Sequence, residues 1–162
     1  MGRFLIYLTT LTIGSLALSV SILAYNNFWF WQMPELDLIV HFLTGLTIGL
    51  LSLIVYFSIV IPTYLRFVFS FSSVFLVSFI AVFVVGVIWE LFEFSLNEFD
   101  FAFLSAKQFE IIRFGWLDTV GDLSANFIGA LVASLIFWFN WRVENTKELK
   151  SDPEINNFSI ND

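Results

Sequence analysis

The chain has 162 residues, 59% of them hydrophobic and 13% charged, with a net charge of −7 and a mean hydropathy of +0.87. A soluble domain is about 45–50% apolar and about 25% charged, so this composition excludes one, and disorder requires far lower hydrophobicity. The absence of cysteine excludes a disulfide scaffold, and the negative charge repels nucleic-acid phosphates, so no nucleic-acid partner is expected and the lipid bilayer is.

Four stretches nearly free of charge follow one another along the chain. No charged side chain lies between Arg3 and Glu35, and His41 is the only ionisable side chain of the apolar run between Asp37 and Arg66 before Tyr56. Phe67 to Trp89 and Leu123 to Trp141 are neutral. A helix rising about 1.5 Å per residue needs about 20 apolar residues to cross a hydrocarbon layer of about 30 Å, and at this size only helices satisfy their own backbone in lipid. The sequence therefore predicts an all-α integral membrane protein, a four-transmembrane-helix bundle. Its single domain covers residues 1–142, with spans near 4–25, 36–60, 67–94 and 118–140.

The first span reads as a retained anchor, because its apolar run exceeds the 7–15 residues of a signal peptide and no A-x-A-like site precedes Tyr25. Phe28, Trp29, Phe30 and Trp31 then suit an aromatic belt at the membrane interface, and Pro34 suits the first turn of the second span. Pro62-Thr63-Tyr64-Leu65 reads as a tight turn. In the 97–117 loop, Ser105 and Gln108 have capping-box spacing while Ala106, Phe109 and Ile112 share a face, which predicts a short interfacial helix. Residues 143–162 are expected to be a polar, frayed cytoplasmic tail.

Arg3, Arg66, Arg142, Lys147 and Lys150 fall on one side of such a bundle, and only Lys107 and Arg113 on the other. The positive-inside rule then puts both termini in the cytoplasm of a multi-pass protein of the cell (inner or plasma) membrane.

This topology gathers ionisable groups at the outer face. Asp37 and His41 begin the second span, Glu90 and Glu93 end the third, and Asp118 and Asp122 begin the fourth. Helical spacing gives each set a stripe: Asp37, His41, Thr44, Gly45 and Gly49; Gly86, Glu90, Glu93 and Asn97; Asp118, Asp122, Asn126, Gly129 and Ala133. Small residues at this spacing let membrane helices approach closely, so the polar ends of the stripes are expected to meet inside the bundle.

Plainer readings exist for each residue alone. Asp37 and Asp118 suit N-terminal caps, and Glu90 and Glu93 an exit into water, although carboxylates at a helix C-terminus oppose the dipole by about 0.3–1 kcal/mol. His41 suits an interior histidine bonded to Thr44 or a backbone carbonyl, and Asn126 interhelical glue worth about 0.6 kcal/mol. What they leave over is the sum of five carboxylates near one imidazole, with Arg113 the one obvious cation nearby. Such charge at the edge of a low-dielectric layer must spread into water, take up protons or bind a cation.

The pattern Asp37-x-x-x-His41-Phe42-x-x-Gly45, Trp89-Glu90-Leu91-Phe92-Glu93-Phe94 and Asp118-Thr119-x-x-Asp122-x-x-x-Asn126-x-x-Gly129-Ala130 resembles the YjdF-like (DUF2238) membrane proteins. It is more distantly similar to VanZ-like proteins linked with glycopeptide resistance, with Leu38 and Glu93 standing where that pattern has Lys and commonly Gln. The likeness covers about residues 35–135. It implies a multi-helix membrane fold and brings no reaction with it.

Three functions stay open. The first is a cluster of Asp37, His41, Glu90, Glu93, Asp118, Asp122 and Asn126 that binds a cation, proton or polar ligand. His41, Glu90, Glu93, Asp118 and Asp122 are its candidate ligands for a divalent cation, since carboxylates suit Mg²⁺, Mn²⁺ or Ca²⁺ and the imidazole tilts the set toward Mn, Fe or Zn. The second is a metal-dependent membrane enzyme acting on a lipid-linked or periplasmic substrate. The third is an accessory subunit, with a second copy or a membrane complex as its partner.

Overall fold

A computed structural model of the chain describes residues 2–27, 29–60, 70–100 and 116–151. All regular structure among them is helical: α1 (Gly2–Asn26), the short α2 (Trp29–Gln32), α3 (Pro34–Val55), α4 (Phe71–Asp100) and α5 (Trp116–Ser151). Tyr56–Val60 prolongs α3 as a π-helical turn. Four helices are long and apolar enough to cross a membrane, over Leu5–Ala24, Glu35–Ser58, Phe71–Phe92 and Asp118–Asn140. The expected turn at 62–65 and the expected interfacial helix around 105–112 lie outside the described residues.

The helix ends follow local chemistry. Pro34 opens α3, where its missing N–H costs nothing because the first-turn donors have no intrahelical acceptor. The cap itself is Met33, which offers no side-chain hydrogen bond. Asp37 is therefore not the cap: it stands a full turn into the helix, which frees its carboxylate for another partner. α4 and α5 both outrun their expected ends, α4 to Asp100 and α5 to Ser151. The first part of the expected frayed tail is thus continuous helix. Glu144, Lys147, Glu148, Leu149 and Lys150 are good helix formers, and a helix already nucleated in the span propagates into such residues without an apolar face.

The bundle is built on one close pair. α3 packs most extensively on α5, and α4 and α1 occupy the two grooves flanking that pair, each touching both. Glycine makes the approach possible. A methyl group built on Gly45 would lie 2.7 Å from Cα of Asn126, and one on Gly129 would lie 2.6 Å from the backbone nitrogen of Leu46. One turn further along, a methyl on Gly49 would lie 2.6 Å from the Ser78 hydroxyl and 2.8 Å from Cβ of Ala133. α3 and α5 therefore touch backbone to backbone, the arrangement small-residue stripes permit in lipid.

Several hydroxyls in the spans are satisfied by their own helix. Thr10 donates to the Ile6 carbonyl at 2.8 Å, Thr47 to Leu43 at 2.8 Å and Ser124 to Val120 at 2.6 Å. Across helices, Ser78 of α4 donates to the Ala130 carbonyl of α5 at 3.2 Å, and Ser134 donates to the same oxygen at 2.8 Å. Phe79 stacks on Phe127 with ring centroids 4.7 Å apart, holding α4 against α5. Leu8, Leu11, Leu18 and Ile22 of α1, with Leu76, Ile80, Val84 and Ile88 of α4, stay exposed. They present the apolar outer surface a bilayer solvates.

The dense core lies toward one end of the bundle. Ile6, Leu46, Leu50, Leu53, Phe57, Val74, Ala133 and Phe137 form one buried cluster, and the rings of Phe57 and Phe137 pack 5.1 Å apart. The ends of α3, α4 and α5 that carry acids lie at the other end.

Candidate cation site at the polar end of the bundle

His41 is the centre of this end. It stands on the α3 face that meets α5 and is buried, with 5% of its surface exposed. Asp37 sits one turn earlier on α3, and its Oδ1 lies 3.7 Å from Nε2 of His41. Asp122, on α5 and 2% exposed, places Oδ2 3.9 Å from the same nitrogen. One donor atom from each of the three residues falls within 4.8 Å of the others.

The separations are informative. A hydrogen bond between a ring nitrogen and a carboxylate spans about 2.7–3.2 Å, so neither carboxylate grips the ring directly. Donors sharing a cation at about 2.0–2.5 Å lie about 3–4 Å apart, which matches the two distances from Nε2. An imidazole nitrogen with two carboxylate oxygens is a donor set for Mn²⁺, Fe²⁺ or Zn²⁺, and Mg²⁺ accepts the carboxylates.

The other face of the ring meets α5 as well. Nδ1 of His41 lies 3.2 Å from Nδ2 of Asn126, which is itself 3% exposed. This contact follows from the packing. Gly45 lies one turn beyond His41 on α3, and Asn126 one turn beyond Asp122 on α5. The bare Gly45 Cα lets the Asn126 backbone come into contact with α3, and that sets the carboxamide against the ring. Gly86 of α4 flanks the same amide, since a methyl built there would touch Nδ2 at 3.5 Å. His41 thus bonds neither Thr44 nor a backbone carbonyl among the described contacts; its partner is a side chain 85 positions away in sequence.

Glu90 and Asp118 sit beside this group and not within it. Thr119 lies beside the Glu90 carboxylate, whose Oε1 is buried with no hydrogen-bond partner among the described residues, and Asp118 acts on Glu90 electrostatically. Asp37 in turn feels the charges of both Asp118 and Glu90. The three helices do bring their acids to one end. Glu93 belongs to α4, with its side chain outside those described, and Arg113 lies outside the described residues. Asp37 and Asp122 each offer one ligand atom beside Nε2, and Thr119, next to Glu90, is a neighbour that spacing alone passed over. Its place beside Asp118 in the Asp-Thr-x-x-Asp run is the signal that could have found it.

Residues 2–142 match the family described as "Predicted membrane protein (DUF2238)". The chain belongs to the DUF2238 family. The match carries the first of the two resemblances, and the VanZ-like one is not shown by it. No curated protein and no solved structure matches the chain. Within this DUF2238 protein, the Asp-x-x-x-His and Asp-x-x-x-Asn motifs are the two halves of one cluster.

Proposed function

We propose that this DUF2238 protein binds a divalent cation at Asp37, His41 and Asp122, at one surface of the membrane. The observation that carries the reading is the trio of donors from two helices around a buried Nε2, spaced for a shared ion and too far apart for direct hydrogen bonds. Two Asp carboxylates and one neutral imidazole offset a divalent charge, which relieves the concentration of acid at this end. Glu90 and Asp118 then act as the rim that draws a cation in.

The apolar half of the bundle supports binding over passage. Leu50 and Leu53 have no exposed surface, and Val74, Phe57 and Phe137 are 2%, 3% and 5% exposed. A hydrated cation or a proton relay needs polar groups along its path, and the cluster that fills this half is apolar, with the nearby buried hydroxyls of Thr10, Ser78 and Ser134 donated to backbone carbonyls. The site is therefore read as loading and emptying from its own side of the membrane.

Metal analysis of the detergent-purified protein tests the proposal. Dialysed against zinc or manganese and then freed of loose ions, wild type is expected to retain about one equivalent, and Asp122→Asn to retain little. Equal retention by both proteins would remove the trio as the binding site.

Charge bias supports an orientation with both termini in the cytoplasm of the cell membrane, which sets the cluster at the outer face. A reporter fused after Asp162 is then active only if it works in the cytoplasm. Periplasmic activity at that fusion moves the cation site to the inner face.

A further inference from the structure

The contact between His41 and Asn126 has a consequence for how a cation can enter. A carboxamide nitrogen only donates, so the amide nitrogen facing Nδ1 at 3.2 Å requires Nδ1 to be the unprotonated, accepting nitrogen of a neutral ring. The ring proton is then on Nε2, where it points toward Asp37 and Asp122 at 3.7 and 3.9 Å. A cation needs the opposite arrangement. It takes the Nε2 lone pair, and a metal-bound histidine passes its remaining N–H to an oxygen acceptor. Asn126 carries such an oxygen on the same carboxamide, a half-turn of the side-chain amide away.

We propose that the Asn126 carboxamide selects which nitrogen of His41 carries the proton, and that its half-turn is the step that readies Nε2 for a cation. Asn126 is thus a positioning residue acting through His41. The inference rests on the cation-site reading for its final state, and its ion-free half stands on the hydrogen bond alone. Burial makes the amide decisive: His41 is 5% and Asn126 3% exposed, so water does not compete for Nδ1. Gly86 matters for the same reason, because a larger side chain at that position would press on the amide as it turns.

No atoms are gained or lost in this step. With the amide nitrogen on Nδ1, the ring is Nε2–H. As the amide turns, the Nε2 proton passes to Asp37 or Asp122 and on to solvent, solvent returns one proton to Nδ1 during the turn, and the amide oxygen then accepts from Nδ1–H, so the ring carries one proton before and after. The cation then bonds Nε2 and one oxygen each of Asp37 and Asp122.

The chain contains a single histidine, so protein labelled with nitrogen-15 in the histidine ring gives an NMR spectrum that reports on this residue alone. At alkaline pH and without metal, wild type is expected as the Nε2–H tautomer, and diamagnetic zinc is expected to convert it to Nδ1–H with Nε2 on the metal. Asn126→Asp, held at a pH high enough that its carboxylate is ionised and only accepts, is expected as Nδ1–H before any zinc is added. Asn126→Leu, which offers neither donor nor acceptor, is expected to bind zinc about 10–100-fold more weakly than wild type. Zinc binding by Asn126→Leu as tight as wild type overturns the inference, as does the Nε2–H tautomer in metal-free Asn126→Asp or a doubly protonated ring in wild type. Ring signals in wild type that ignore zinc overturn the cation-site reading instead, while the metal-free comparison still decides what Asn126 does.

Discussion

Gly45→Ala is expected to lower the melting temperature by roughly 5–10 °C, a loss of about 2–3 kcal/mol for a chain of this length. The added methyl falls against the Asn126 backbone, 2.7 Å from its Cα. Backbone cannot rotate out of the way as a side chain can, so α3 and α5 must separate along their whole contact. The control is Gly14→Ala. Its methyl would meet the Thr47 Cγ2 at 2.9 Å, a single side-chain methyl between α1 and α3 and not backbone, so a smaller loss is expected. Thermal unfolding of both variants in detergent, followed by tryptophan fluorescence, checks the difference. Equal shifts would show that α3 and α5 are not held at the distance Gly45 allows. Because the same contact sets Asn126 against His41, Gly45→Ala is also expected to weaken zinc binding, beyond its effect on stability.

The second large effect concerns the cation. A ligand held only by the folded state stabilises it by RT ln(1 + [L]/Kd), about 2.7 kcal/mol when the ligand is at 100 times its Kd. Millimolar zinc or manganese is therefore expected to raise the wild-type melting temperature by roughly 5–10 °C over the value with chelator. Asp122→Asn and Asp37→Asn each remove one anionic donor with almost no change of volume, and both are expected to lose most of that rise. Glu90→Gln removes an acid beside the group and leaves the trio in place, so it is expected to keep the rise. Three variants that respond as wild type does would assign the stabilisation to ions elsewhere on the protein. A loss in Glu90→Gln as large as in Asp122→Asn would enlarge the site to include the α4 carboxylate.

The two motifs differ in how far spacing alone could resolve them. The pairing of Asp37 with His41 is visible in sequence, because positions four apart on a helix face the same way. Asp122 and Asn126 are legible in the same manner as a second stripe. That these stripes face each other, with Nε2 toward the carboxylates and Nδ1 toward the amide, is not. Glu90 looks equally eligible for His41 in the sequence, since α4 also brings its acids to this end. The structure places it beside Thr119 and Asp118, while the ligand atoms gathered around Nε2 come from α3 and α5.

Composition and hydropathy by themselves determined that this is a helical membrane protein with four spans. Lipid offers no hydrogen bonds to the backbone, so long apolar stretches have few structures open to them. Alternation of the spans across the bilayer then determined that the acids of three helices share one end, before any packing is considered. Only the tertiary structure decided which of those acids meet the histidine. Small residues mark a helix face as able to approach a neighbour, but they do not name the neighbour. The choice depends on which faces interlock at backbone distance, as Gly45 does with Asn126 and Gly129 with Leu46, and shifts of an ångström at those contacts separate a gathered Asp-His-Asp group from a set of scattered carboxylates.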